Sequence, residues 1–111
     1  MKRGDIYFAN LDPTIGAETK KKRPVLIVSN NANNKTASTV TVVLITSNIN
    51  KVFPFEVLLE MKECGLPKRS KAQCHQIRTI SKIRIEGEIV GLVRKEVMAK
   101  INAAIRLHLD F

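Results

Sequence analysis

Two apolar runs stand out against a polar background: residues 25–28 (VLIV) and residues 39–45 (TVTVVLI). Both are short and rich in β-branched side chains. Pro24 and Ser29-Asn30-Asn31 bound the first, and Thr46-Ser47-Asn48 ends the second. Runs of this kind predict buried strands. Residues 6–9 and 56–59 predict two more, and residues 83–85 and 88–90 two short ones flanking Gly87. Residues 71–80 (KAQCHQIRTI) look extended but lack clean alternation, because His75, Gln76 and Arg78 interrupt the apolar positions. Polar side chains in such a strand imply that one face is solvated or lines a site. The connectors are polar. Residues 10–14 form a turn cluster, 16–22 a loop, and 30–36 a connector with room for a turn of helix. Residues 50–54 form a further loop, and Gly65 and Pro67 mark turns in the basic connector 62–69. At the C-terminus the period changes. Val93, Val97, Ile101, Ile105 and Leu109 recur every four residues, with Arg94, Lys95, Lys100 and Arg106 largely between them. That is an amphipathic helix, a cover for the sheet or a dimer element. The fold class that follows is mostly β with a C-terminal helix: a small antiparallel barrel with the helix packed at its side.

Length adds one constraint: 111 residues suggest one domain spanning 1–111. Charge adds another. Nineteen Lys and Arg against ten Asp and Glu give a net charge of +9, which favours a polyanionic partner. No apolar run approaches the roughly 18 residues of a membrane span. The N-terminus has no apolar leader segment, so a cytoplasmic protein without a signal peptide is expected. Cys64 and Cys74 stand ten positions apart, and His75 and His108 do not complete a zinc-ligand pattern with them. Both read as thiols without a catalytic role, and no metal site is expected.

The candidate chemistry starts at KKKRP, residues 20–24. Pro24 fixes its own φ and biases Arg23 toward extended backbone, so Arg23 stands at the mouth of a rigid strand. A long cation held there, with Lys20, Lys21 and Lys22 beside it, is well placed to grip a phosphate. From this stretch alone, a solvated loop that keeps the strand soluble is the plainer reading. The second strong strand changes the balance. If the two pair antiparallel, as sequence neighbours commonly do, Arg23 and Thr46 lie on the same side of the sheet.

With these words in place the chain resembles the MazF/PemK (Kid) toxins of bacterial toxin–antitoxin pairs. The matching words are Arg3-Gly4-Asp5-Ile6, Leu11-Asp12-Pro13-Thr14, Gly16-x-Glu18, Arg23-Pro24-Val25, Thr46-Ser47, Phe53-Pro54-Phe55-Glu56-Val57 and Gln76-Ile77-Arg78-Thr79-Ile80. Their order and spacing, rather than any one of them, carry the resemblance, which covers nearly the whole chain. It implies an SH3-like barrel of the CcdB/MazF/Kid type, a homodimer, and metal-independent cleavage of single-stranded RNA without a cofactor. It also implies an acidic antitoxin whose C-terminal segment covers the active groove. Family catalytic roles fall on Arg23 and Thr46. Gln76 matches the glutamine of the family's Asp-Gln motif, but here His75 stands where the aspartate would be. An imidazole titrates near neutral pH and is therefore a candidate to exchange protons at that position.

Cleavage without a metal uses the 2′-OH as nucleophile and yields a 2′,3′-cyclic phosphate and a 5′-OH. It needs a base, an acid and a cation at the phosphorane. A guanidinium suits the last role because its fork bonds two phosphate oxygens. The RNA-binding set expected is Lys20, Lys21 and Lys22 for the backbone and Phe53 for stacking, with Thr19, Ser47 and Arg78 beside them, and Glu18 and Gln76 as the resemblance implies. Two other functions remain open at this stage. One is a gyrase-poisoning toxin on the same fold, although the ending LHLDF lacks the tryptophan-containing tail that activity would want. The other is an RNA-binding barrel without catalysis.

Overall fold

The computed structural model describes residues 1–11 and 22–111. Along the chain come β1 (Asp5–Asn10), β2 (Lys22–Ile27), α1 (Asn31–Thr36), β3 (Thr39–Thr46), β4 (Glu56–Leu59), α2 (Met61–Cys64), β5 (Ser70–Ser81), β6 (Ile85–Leu92) and α3 (Lys95–Leu109). One turn of 3-10 helix, Lys82–Arg84, leads into β6. The strands form one six-stranded sheet in the order β4-β5-β3-β2-β1-β6. Every recorded pairing is antiparallel. The sheet's two ends meet through α2. Gly91 of β6 lies against Cys64, at the end of the helix that directly follows β4. Gly65 then stops that helix at φ 76°, a left-handed conformation that glycine adopts without strain.

The continuous apolar runs exist because the sheet has a core on each face. Ile6, Leu26, Val43, Ile45 and Leu59 pack with Ile101 and Ile105 of α3. Their strand neighbours Val25, Ile27, Val40 and Val42 point the other way and pack with Ala9, Leu11 and Ile80. A strand buried on both sides has no reason to alternate in polarity. The terminal helix lies where its period places it, with Val97, Met98, Ile101, Ala104 and Ile105 turned inward. Fully burying one such aliphatic side chain is worth about 1.5–3 kcal/mol, so this face is enough to fix the helix to the sheet.

Several local expectations change on inspection. The connector after β2 does close into a helix, capped by the Asn30 side chain accepting the Asn33 amide. The basic connector before β5 begins inside a helix, α2. One strand, β6, replaces the two short ones. It runs through Gly87, at φ 73°, where the register against β1 shifts. β2 begins at Lys22, earlier than the apolar run suggests, because Lys22, Arg23 and Pro24 pair with Asn10, Ala9 and Phe8 of β1. Pairing with β3 covers only Val25, Leu26 and Ile27. Pro24, which has no amide hydrogen to give, therefore sits where the strand has a single paired neighbour.

β5 also explains its own irregular pattern. Its partner on β3 jumps from Ile77, opposite Val43, to Gln73, opposite Leu44. Cys74, His75 and Gln76 are left in a bulge with no β3 partner. Among the described residues, no helix is long and apolar enough to cross a membrane.

Candidate active site

The pairing register brings the two leading residues together. Val25 faces Leu44 and Ile27 faces Val42 across β2 and β3. The β2–β3 pairing ends at Val25 and Leu44, so Arg23 and Thr46 each lie two residues beyond that last pair, at the same end of the two strands. Alternation also puts the two on one side of their strands, since each is an even number of residues from a member of the same cross-strand pair. Both line an open cleft of about 600 Å³. Lys22, Ser47, Lys68 and Ser70 also line it, over a floor that includes Phe8 and Pro24.

The cleft is cationic by construction. Arg23 and Lys22 are exposed, and Lys22 is paired at 2.9 Å with Glu86 of β6, an exposed ion pair that an incoming anion can reorganise at small cost. Thr46 is half-buried at the end of β3. Its Oγ1 accepts the Asn48 amide at 3.2 Å. A hydroxyl oxygen occupied as an acceptor in this way keeps its own hydrogen free to donate. The site thus pairs a planar cationic fork with a neutral donor, a combination suited to an oxyanion.

Other residues named from the sequence lie elsewhere. His75 is packed at the bulge of β5, edge-on to Phe55 with ring centroids 4.6 Å apart and 6.3 Å from His108 of α3. Its Nδ1 is buried and has no hydrogen-bond partner. It is five residues along β5 from Ser70 of the cleft, about 16 Å at strand rise. The structure packs His75 against Phe55 and near His108, and it is not among the residues lining the Arg23–Thr46 cleft. Gln76 and Arg78 are exposed on the same strand, outside the cleft. Phe53 is 43% exposed in the loop between β3 and β4 and stacks on Phe55 at 5.4 Å. Glu18, Thr19, Lys20 and Lys21 lie outside the described residues.

Comparison with known proteins identifies the lineage. The family model for the PemK-like, MazF-like toxin of type II toxin–antitoxin systems matches residues 2–109. The chain belongs to the PemK/MazF toxin family. The endoribonuclease MazF9 of Mycobacterium tuberculosis is 44% identical over 115 residues, spanning 99% of this chain and 97% of the relative. The endoribonuclease EndoA of Bacillus subtilis is 38% identical over 110 residues, spanning 98% and 94%. A solved mycobacterial endoribonuclease in complex with its cognate antitoxin superposes with a TM-score of 0.81 at 29% identity, covering all of this chain and 96% of that one. A MazE–MazF complex from Deinococcus radiodurans superposes with a TM-score of 0.85 over 100% and 96% of the two chains; at 22% identity it speaks for the fold alone.

Within this family member, sequence reasoning missed two kinds of residue. Lys68 and Ser70 line the cleft because β5 starts beside the end of β3, with Lys71 opposite Thr46. The basic connector was visible, but its destination depends on a long-range pairing. The second kind is a buried ion pair. Lys71 and Glu56 meet at 3.0 Å with side chains only 9% and 2% exposed. Burial pushes the Glu56 carboxyl up, but hydrogen bonds from the Phe53 amide and Lys71, with the ammonium's charge, outweigh it and hold the group below its ordinary range. Cys64 and Cys74 are both free and buried. Desolvation pushes the Cys74 thiol up to about 12, which keeps it protonated and unreactive at neutral pH.

Proposed function

We propose that this toxin cleaves single-stranded RNA at the cleft between β2 and β3, with Arg23 and Thr46 acting on one phosphodiester. The whole chain, 1–111, serves as a single toxin domain in the cytoplasm and works as a homodimer. The observation that supports the reading is that Arg23 and Thr46, at the same end of paired strands, line one open, cationic cleft. As the 2′-OH attacks phosphorus, its proton passes to solvent water, the P–O5′ bond breaks, and the departing 5′ oxygen takes a proton from solvent; negative charge meanwhile grows on the non-bridging oxygens. The Arg23 guanidinium pairs with two of them, while the Thr46 hydroxyl, already oriented by Asn48, donates to the phosphate or holds the 2′-OH in line. Arg23 has no lone pair free to accept a proton at neutral pH, so its part is electrostatic. Glu18, Thr19, Lys20 and Lys21, just before Lys22 in sequence, belong to the proposed RNA-binding set. Products are a 2′,3′-cyclic phosphate and a 5′-OH.

The net charge of +9 supports a polyanionic substrate and, equally, an acidic antitoxin segment that would cover the same cleft. The test is incubation of the purified protein with mixed-sequence single-stranded RNA in EDTA, followed by end mapping. Fragments whose 5′ ends take up label from a kinase without prior phosphatase treatment support the proposal. Binding without fragments, or fragments bearing 5′-phosphates, would exclude it.

A further inference from the structure

The loop between β3 and β4 is held by a charge pair that neither the fold nor the cleft chemistry requires. Lys71 Nζ donates to Glu56 Oε1 and to the backbone carbonyl of Lys51. The same Glu56 oxygen accepts the Phe53 amide at 3.0 Å, and the Glu56 amide donates to the Phe53 carbonyl at 2.8 Å. One nearly dry ion pair therefore pins the loop at Lys51 and at Phe53. Between those pins, the Lys51 ammonium sits 5.6 Å from the centroid of the Phe53 ring, which also stacks on Phe55. The near end of the loop is Ser47, in the cleft.

A buried ion pair is weak evidence for stability, since hydrophobic residues of similar volume often do as well. What it supplies is fixed geometry for the groups that complete its hydrogen bonding. Here both of those groups, the Lys51 carbonyl and the Phe53 amide, belong to one exposed loop. We infer that Lys71 and Glu56 are positioning residues that hold Phe53 and Lys51 as a stacking platform for a base of the bound RNA. This rests on the reading that the chain acts on RNA. Thr46 pairs with Lys71 through the backbone, which a change of the Lys71 side chain leaves in place. Its bond from the Asn48 amide, and the bond from the Asn50 amide to Asn48, each span two residues and close locally without Lys71. Loosening the pair should therefore weaken substrate binding and leave the chemical step nearly intact.

The experiment measures KM and kcat on a single-stranded RNA cleaved by the wild type, for Lys71→Met, Phe53→Ala and their combination, with melting followed by circular dichroism. Loss of one base–aromatic stack predicts a KM rise of about tenfold in each single variant, with kcat within about threefold. The combination should be no worse than either alone, because both remove the same platform. A folded Lys71→Met with wild-type KM, or KM losses that multiply in the combination, overturns the inference. If Lys71→Met does not fold, Lys71→Met/Glu56→Gln removes both charges, keeps an acceptor for the Phe53 amide, and is held to the same criteria. Hydrogen exchange on the wild type gives an independent check: a Phe53 amide exchanging as fast as an unprotected loop position also overturns it. A wild type that cleaves no RNA rejects the underlying reading instead, so the two failures are distinguishable.

Discussion

Replacing Thr46 with valine removes one hydroxyl and little else. The two side chains have the same branching, so β3 keeps its preference for extended backbone and its pairing with Lys71. The hydroxyl's one recorded partner is the Asn48 amide at 3.2 Å, in an exposed turn. Water can take over that donor, so the stability cost should stay within about 1 kcal/mol. For a domain of this size that is a melting shift of roughly 4–8 °C at most. The catalytic cost is of another order. A preorganised donor aimed at developing charge is worth about 10²–10³ in rate, or about 2.7–4 kcal/mol. Single-turnover cleavage of a fluorescent single-stranded RNA, with enzyme in excess, isolates that step from binding. The expected result is a drop of at least a hundredfold with the melting curve nearly unmoved. A folded variant cleaving within threefold of wild type would refute the assignment. So would a rate loss accompanied by a melting drop well beyond 10 °C, since the hydroxyl would then be supporting structure.

Other consequences follow from the same structure. Because the Glu56 carboxyl is held below its ordinary range, the unfolded chain takes up that proton first as pH falls. The stability it contributes is complete above about pH 4.5 and drains as pH drops through the lower folded value, so acid unfolding should be blunted in Lys71→Met/Glu56→Gln relative to wild type. Cys74, pushed up to about 12, should resist iodoacetamide at pH 8 in the native protein and react promptly in denaturant. Prompt labelling of native Cys74 would contradict its burial. A Cβ added at Gly91 would lie 2.1 Å from the Cys64 carbonyl oxygen, so Gly91→Ala must push β6 and α2 apart. Overpacking of this kind costs about 1–3 kcal/mol and should lower the melting temperature by several degrees or more, measurably by calorimetry.

Much of this was legible in the chain, for identifiable reasons. The runs at 25–28 and 39–45 are buried on both faces, so they show up without periodicity, and short connections made their antiparallel pairing the natural guess. That pairing alone places Arg23 near Thr46. The helix at 95–109 announces itself because one face must be apolar. β5 was harder. Its bulge at Cys74, His75 and Gln76 depends on how β3 and β4 share its edge, and no local signal encodes that choice. That His75 packs on Phe55 was equally illegible, since it follows from the same long-range pairing. Lys71 and Glu56 were invisible as a pair because they are fifteen residues apart and only the β4–β5 register brings them together.

The claim that matters most is that Arg23 and Thr46 act on the same phosphate. A double-mutant cycle on the single-turnover rate, with Arg23→Met, Thr46→Val and both together, tests it directly. Groups that work as a unit are strongly non-additive, so the double variant should lose about as much as the worse single variant. Losses that multiply across the two changes would mean the residues act apart, and would contradict the account.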